Sequence, residues 1–217
     1  MTFSTHSIFA TFITVCTTSA LYAQRMDVQI TEDTGTAITL QYDFPAYRMQ
    51  QVDIKGQTFV RPVLEGENHM MVTGHPALPD VSRGIMIPEQ GEVSVRILNM
   101  TSHDVEGVAI APSKGTISRA VDPATIPFTF SDTYKKDAFW PAEIATAREP
   151  HIIRDLRGTI IDVSPFQYNP QTKTLRVIDS LTLSVTTEGT GGINKMARTK
   201  KHSIGSAYSI LMDRHFL

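Results

Sequence analysis

From Gln24 to Val185 the apolar residues recur at every second position, and that period of two limits the chain to strands with one buried face. "MDVQIT" (26–31), "TAITLQYDF" (36–44), "VDIKG" (52–56), "TFVRPVL" (58–64), "EVSVRIL" (92–98) and "DVEGVAI" (104–110) alternate or cluster β-branched and aromatic residues between turn-formers. "GTIIDVSPFQY" (158–168) and "KTLRVIDSLTLSV" (173–185) flank "NPQT", where Asn169 and Pro170 favour a tight turn, so the pair predicts a long hairpin. Pro62 and Pro165 fall inside strand-like runs. Proline cannot donate to a ladder, so these positions are expected at edges or bulges. No long helical pattern interrupts the series, which favours an all-β fold, an antiparallel β-sandwich of jelly-roll-like type, over a parallel α/β arrangement. With 41% hydrophobic and 19% charged residues in 217, the chain can fill an ordinary core.

The first segment, "MTFSTHSIFATFITVCTTSALYAQ", is read apart from the fold. Residues 8–21 are apolar or small and uncharged, the length of a secretory h-region and too short to span a bilayer. Residues 1–23 are therefore expected to be a signal peptide, cut between Ala23 and Gln24, with no membrane attachment after its removal. The destination is outside the cytoplasm. The cut also removes Cys16, the only cysteine, leaving no disulfide, no thiolate metal ligand and no cysteine nucleophile. A formal net charge of -2 gives no electrostatic reason to expect nucleic acid as a partner.

Beyond Val185 the composition changes. The sandwich is expected over 24–186, followed by a basic linker over 187–202, "TEGTGGINKMARTKKH", rich in Gly and Thr and then in Lys and Arg. Within it Arg198, Lys200 and Lys201 offer bonds to a peptidase that cuts after basic residues. "SIGSAYSILMDRHFL" (203–217) spaces Ile204, Tyr208, Leu211 and Leu217 roughly as a short amphipathic helix that Ser203 or Ser206 can cap. It stops at an apolar "HFL", and so reads as cut from, or interrupted within, something longer.

Catalytic chemistry is not legible. His69, His75, His103, His151, His202 and His215 form none of the spacings that place metal ligands on one face, and neither a nucleophile elbow nor a phosphate loop occurs. Asp155 with Asp162, or Glu143 with Glu149, read as solvated charge, as do Arg154, Asp155 and Arg157 of "IIRDLRG" (152–158), taken as surface ion pairs at a strand end. Trp140 reads as a core or sheet-covering aromatic. No catalytic residue, metal or cofactor is expected. One stretch is neither strand nor helix: "SKGTISRAVDPATIP" (113–127), where Gly115, Pro123 and Pro127 stiffen a polar loop around a single arginine, Arg119, between the small residues Ser118 and Ala120.

Residues 110–185, "IAPSKGTISRAVDPATIPFTFSDTYKKDAFWPAEIATAREPHIIRDLRGTIIDVSPFQYNPQTKTLRVIDSLTLSV", closely resemble the N-terminal propeptide of the gingipains, secreted cysteine peptidases of Arg-specific type. "GHPALPDVSRGIMIPEQGEVSVRI" (74–97) is similar to the family's lead into its central strands, and "SAYSILMDRHFL" looks like the segment leading toward the peptidase. The resemblance implies a β-sandwich prodomain that acts as intramolecular chaperone and inhibitor of a cognate gingipain-like peptidase domain, exported through the periplasm and outer membrane of a Bacteroidetes-type cell. The catalytic Cys and His belong to that other domain. It further implies that Arg119, in the matching "ISRA", enters the S1 pocket. An acidic S1 pocket suits it, because guanidinium pairs with carboxylate through bidentate geometry. The alternative reading is a free-standing secreted β-sandwich that binds protein or carbohydrate.

Overall fold

The computed structural model describes residues 26–196 and 215–217. Twelve strands occur among them: β1 (Val28–Asp33), β2 (Ala37–Asp43), β3 (Arg48–Ile54), β4 (Gln57–Val63), β5 (Asn68–His69), β6 (Pro79–Met86), β7 (Glu92–Val105), β8 (Ala145–Ala147), β9 (His151–Ile153), β10 (Leu156–Val163), β11 (Phe166–Asn169) and β12 (Thr174–Glu188). One sheet runs β1-β2-β12-β7, with β11 continuing the β2 edge of β12; the other runs β5-β6-β10, with β8 and β9 end to end on the far edge of β10. Every named strand pair is antiparallel. The chain is an antiparallel β-sandwich, as the alternation predicts.

The period of two reads directly as burial. In β12, Leu181, Leu183 and Val185 point inward with Leu40 and Tyr42 of β2, and they meet Val81 and Ile85 of β6 and Ile161 and Val163 of β10 in one cluster. Burying a side chain of this size contributes about 1.5 to 3 kcal/mol. A second cluster sits at one end of the sandwich, where Leu78, Ile110, Phe166, Tyr168, Leu175 and Val177 pack together. The β3–β4 hairpin closes on Lys55 and Gly56, both at positive φ, and lays Met49 and Val60 against that end.

Three expectations change. The predicted long hairpin is split at Pro165: residues 166–169 pair with β12, but β10 pairs with β6, β8 and β9 in the opposite sheet. Pro165 marks the corner where the chain crosses between layers, and its carbonyl accepts from the Ile178 amide at 2.9 Å. "DVEGVAI" does not form a strand of its own. Its start is the end of β7, Gly107 turns the chain at φ +72°, and Ile110 makes only an isolated parallel bridge to Val60. Central strand β6 has weak apolar alternation because one of its inward positions is Arg83. That guanidinium is buried with Glu67, donating to its carboxylate at 2.6 and 3.1 Å and to the Met26 carbonyl at 2.7 Å.

The stretch after β12 is held to the sandwich. Arg157, expected at the surface, is 2% exposed, and its guanidinium donates to the carbonyls of Pro88, Gly91 and Ile193 at 2.8 to 2.9 Å. Gly91 and Met196 donate to Gly191 and Glu89. The expected linker is therefore bound through Met196. Its remainder, 197–202, and nearly all of the helix expected over 203–217 lie outside the described residues, as does the signal peptide. At the chain's end Phe216 is buried across Gly84 and Gly158, where a Cβ on Gly158 would stand 2.3 Å from the ring, and the Leu217 amide donates to the Gly84 carbonyl.

Two stability effects are expected. Removing Glu67 strands a buried cation, so Glu67→Ala should lower unfolding free energy by about 3 to 5 kcal/mol, measured by urea denaturation. Asp80 on β6 behaves oppositely. Burial, and then the neighbouring Asp162 charge, push its pKa up to about 6. Because an unfolded aspartate titrates near ~4, the folded state binds the extra proton between pH ~4 and ~6, and stability falls as pH rises through that window. Asp80→Asn should flatten this slope and stabilise the chain at neutral pH; an unchanged profile would show that Asp80 does not carry it.

Candidate functional site

The loop singled out in the sequence projects from the end of the sandwich that the second core cluster fills. Its first leg, 109–113, is stitched to two segments. Ala111 donates to Val60 and accepts from Ala77, while Ser113 donates to the His75 carbonyl at 2.7 Å. Its second leg returns at 129–134, anchored by the Tyr134 hydroxyl, which donates to the Ile110 carbonyl at 2.9 Å, and by the Phe130 ring 5.6 Å from Phe59.

One residue joins the two legs. The Gly74 amide donates to the Ser113 carbonyl at 2.8 Å, and the Gly74 carbonyl accepts from the Ser131 amide at 2.9 Å. Its φ is +79°, and a Cβ there would sit 3.1 Å from the Ser131 nitrogen. Only glycine takes this conformation without strain while letting backbone approach so closely. Gly115 has a similar role one step along: at φ +76°, a Cβ would overlap the Thr73 hydroxyl.

Beyond Gly115 the chain is exposed and shaped by its own bonds. The Val121 amide donates to the Ser118 carbonyl at 3.0 Å, closing a β-turn with Arg119 and Ala120 at its centre. Asp122 then caps a 3-10 turn, Pro123–Thr125, its carboxylate accepting from the Ala124 amide at 2.9 Å, with Pro123 at the first position where a missing N–H costs nothing. Ser118, Arg119 and Ala120 are all exposed. The Arg119 guanidinium has no partner among the described residues, and Asp122, the nearest acid in sequence, has an oxygen engaged by the cap. A stiff loop thus holds an unpaired cation away from the body of the protein.

Beneath the loop lies a cavity of about 370 Å³ whose wall includes Arg61, His69, Met71, Lys114 and Phe128. His69 donates from Nε2 to the Pro62 carbonyl at 2.7 Å. Burial holds its pKa below the usual histidine value. No group of three or more metal-ligating side chains occurs among the described residues. Among the described residues His151 and His215 lie 3.3 Å apart through their Nε2 atoms, and His103 is hydrogen-bonded to Asp179 at 2.9 Å.

The structure thus brings Ser118, Arg119 and Ala120 to one loop tip. Ala23, Gln24, Arg198, Lys200 and Lys201 lie outside the described residues. Sequence reasoning missed Gly74 and Asp122 as supports of the loop. The Asp-Pro pair at 122–123 was an available cap signal; nothing local marks Gly74, whose partners are 39 and 57 residues away.

A β-sandwich thus presents one arginine-tipped loop on fixed legs. The chain belongs to the Propeptide_C25 family, whose model matches residues 20–204. It is a propeptide of gingipain type and not itself a catalytic domain. It is 35% identical to gingipain R1 of Porphyromonas gingivalis over 170 residues, which is 77% of this chain and 17% of the relative. It is 38% identical to gingipain R2 of the same species over 146 residues, 67% of this chain and 20% of the relative. The chain thus spans about a fifth or less of these relatives' length. Among solved structures it is similar to a chain of the complex of Porphyromonas gingivalis RgpB pro- and mature domains, with TM-score 0.79 and 29% identity over 87% of this chain and 96% of that one. The fold also matches a structure that addresses zymogenic latency of gingipain K, with TM-score 0.65 and 22% identity over 78% of this chain and 96% of that one.

The Gly74 clamp has a measurable consequence. Gly74→Ala places a side chain at positive φ, which costs about 1 to 2 kcal/mol, and crowds Ser131. Amide exchange at Gly74 and Ser131 should accelerate while the β12 amides keep their protection. Equal protection in the variant would show that the legs are held elsewhere.

Proposed function

We propose that this propeptide keeps a gingipain-like cysteine peptidase of the same precursor latent, by seating the 113–127 loop in the peptidase's cleft with the Arg119 guanidinium in its S1 pocket. The observation that carries this reading is the free, exposed arginine at the tip of a loop whose legs are fixed. An arginine with an internal partner would have to break that pairing to bind elsewhere, and a mobile loop would lose ordering entropy on binding. Neither cost arises here. The flanking Ser118 and Ala120 are small enough to let the guanidinium approach a narrow pocket. Support comes also from the kinship with gingipain R1 and R2 and from the likeness to the RgpB complex, in which a pro-domain and a mature domain are found together.

The rest of the reading follows the precursor's course. Residues 1–23 direct export and are cut at Ala23–Gln24, so the protein works outside the cytoplasm. Among the described residues no helix is long and apolar enough to cross a membrane. The sandwich, which needs no disulfide, folds first and serves as intramolecular chaperone for the peptidase. Release begins with cutting after Arg198, Lys200 or Lys201, the first basic residues beyond Met196, whose amide donates to the Glu89 carbonyl.

The decisive experiment measures inhibition of an arginine-specific gingipain by the whole chain and its Arg119 variants. Arg119→Ala leaves an acidic S1 pocket unpaired and should weaken inhibition by roughly 2 to 5 kcal/mol, with the melting curve unchanged. Arg119→Lys should fall between, because an ammonium keeps the charge and loses the planar fork. If Arg119→Ala inhibits as well as the unaltered chain, the loop does not act through its arginine.

A further inference from the structure

An arginine in the S1 pocket of an arginine-specific peptidase is also a substrate's arginine, and the Arg119–Ala120 bond lies next to the catalytic centre in the reading given above, on which this inference rests. Something must keep that bond whole. The loop supplies a cross-brace. The Lys114 ammonium spans it from the first leg and donates to the Pro123 carbonyl at 2.7 Å, while also lying 4.3 Å from the centroid of the Phe128 ring. Both attachments are on the far side of the loop, so residues 114 to 123 form a closed ring through one side chain. Pro123 is itself held within a turn, because Asp122 and Pro123 begin the capped 3-10 turn and the same Pro123 carbonyl accepts from the Ile126 amide.

We infer that Lys114 is the positioning residue that makes this loop an inhibitor and not a substrate, by holding the Arg119–Ala120 bond in a closed turn. The argument is one of length. In the turn closed by Val121 and Ser118 the end Cα atoms are less than about 7 Å apart, whereas the same four residues extended, as a peptidase cleft binds them, span roughly 10 Å. Opening the turn therefore has to lengthen the loop by roughly 3 Å, and the ring must give that length up. Residue 113 is bonded to His75, whereas the cap and the Ile126 bond hold Pro123 only within its own turn, so the Lys114 contact is what ties the returning chain to the first leg and must release for the ring to open. It is a charge-assisted hydrogen bond, to which the Phe128 face adds a weaker cation–π attraction.

The inference separates from the S1 reading by using trypsin, which cuts after exposed arginines whether or not the loop inhibits a gingipain. Hydrolysis of the Arg119–Ala120 bond consumes one water and leaves a carboxylate on Arg119 and an amine on Ala120, so the two fragments are counted by mass spectrometry. The initial rate of this one cut is compared in the whole chain, in Lys114→Met and Lys114→Gln, which remove the ammonium, and in Lys114→Arg, which can still donate to Pro123 and lie over Phe128. Lys114→Met and Lys114→Gln should be cut at this bond about tenfold faster, the loss of one charged hydrogen bond, and Lys114→Arg should stay near the unaltered chain. Cutting elsewhere in the sandwich and the melting temperature should not change, which distinguishes bracing of the loop from general loosening. Equal rates of Arg119–Ala120 cutting in all four proteins overturn the inference. Failure of Arg119→Ala to weaken gingipain inhibition overturns the S1 reading instead, and the trypsin rates still decide whether Lys114 closes the loop.

Discussion

The two-sided ladder of β12 is the constraint on which the remaining structure depends. Its fifteen residues hydrogen-bond to β7 along one edge and to β11 and then β2 along the other, so that it alone connects both halves of its sheet. Its inward side chains divide between the two core clusters, Leu175 and Val177 serving the end that carries the loop and Leu181, Leu183 and Val185 serving the body. The loop's foundation is therefore not local. Ile110, from which the first leg departs, packs in the same cluster as Leu175, and the Val108 amide before it donates to Lys173 at the start of β12. What happens at Arg119 is set by a strand more than fifty residues further along the chain.

Rigidity reaches the tip in stages, each by a different kind of interaction. Apolar packing fixes Ile110. Backbone bonds to Gly74 then hold the legs together where side-chain packing runs out, and the glycine is needed because the two strands of chain pass too close for a Cβ. Further out, the loop's own bonds take over, among them the side-chain cap at Asp122, the turn bond from Val121 to Ser118 and the Lys114 brace. Bulky core residues near the tip would widen the loop, whereas hydrogen bonds within it stiffen it without adding breadth. The entropy lost on binding is reduced in advance by folding.

The layer architecture was legible because period-two alternation survives in β2 and along most of β12, where inner positions are apolar and outer ones polar. The pairing was not. Pro165 was expected to perturb a strand, and its actual work as the corner between sheets depends on β6 being available to β10, which local sequence does not state. β6 itself was obscured by Arg83, since a charged residue at an inward position breaks the pattern on which a strand is recognised. Burial of that residue is paid for by Glu67 and the Met26 carbonyl, partners 16 and 57 positions away. At the site, the tip was legible in Gly115, Arg119 and Pro123, whereas Gly74 was not, because a clamp between two distant backbone segments leaves no signature at the residue that makes it.

Three arginines show why the distinction matters. Arg83 in Ser-Arg-Gly, Arg157 in Leu-Arg-Gly and Arg119 in Ser-Arg-Ala are each followed by a small residue, and nothing in that immediate sequence marks which of them the fold buries. The fold gives Arg83 a buried carboxylate, so its charge is neutralised within the sandwich. It gives Arg157 three backbone carbonyls, which engage both terminal nitrogens of the guanidinium and fasten the chain after β12, while its buried Nε has no partner among the described residues. Both cations are thereby committed to stability, because a buried guanidinium deprived of such partners would destabilise the fold. Arg119 has neither carboxylate nor carbonyl cage and remains in water, where leaving it unpaired costs the fold nothing. Within the loop the acid nearest in sequence, Asp122, has a carboxylate oxygen engaged by the Ala124 amide, and the Arg119 guanidinium stays unpaired among the described residues.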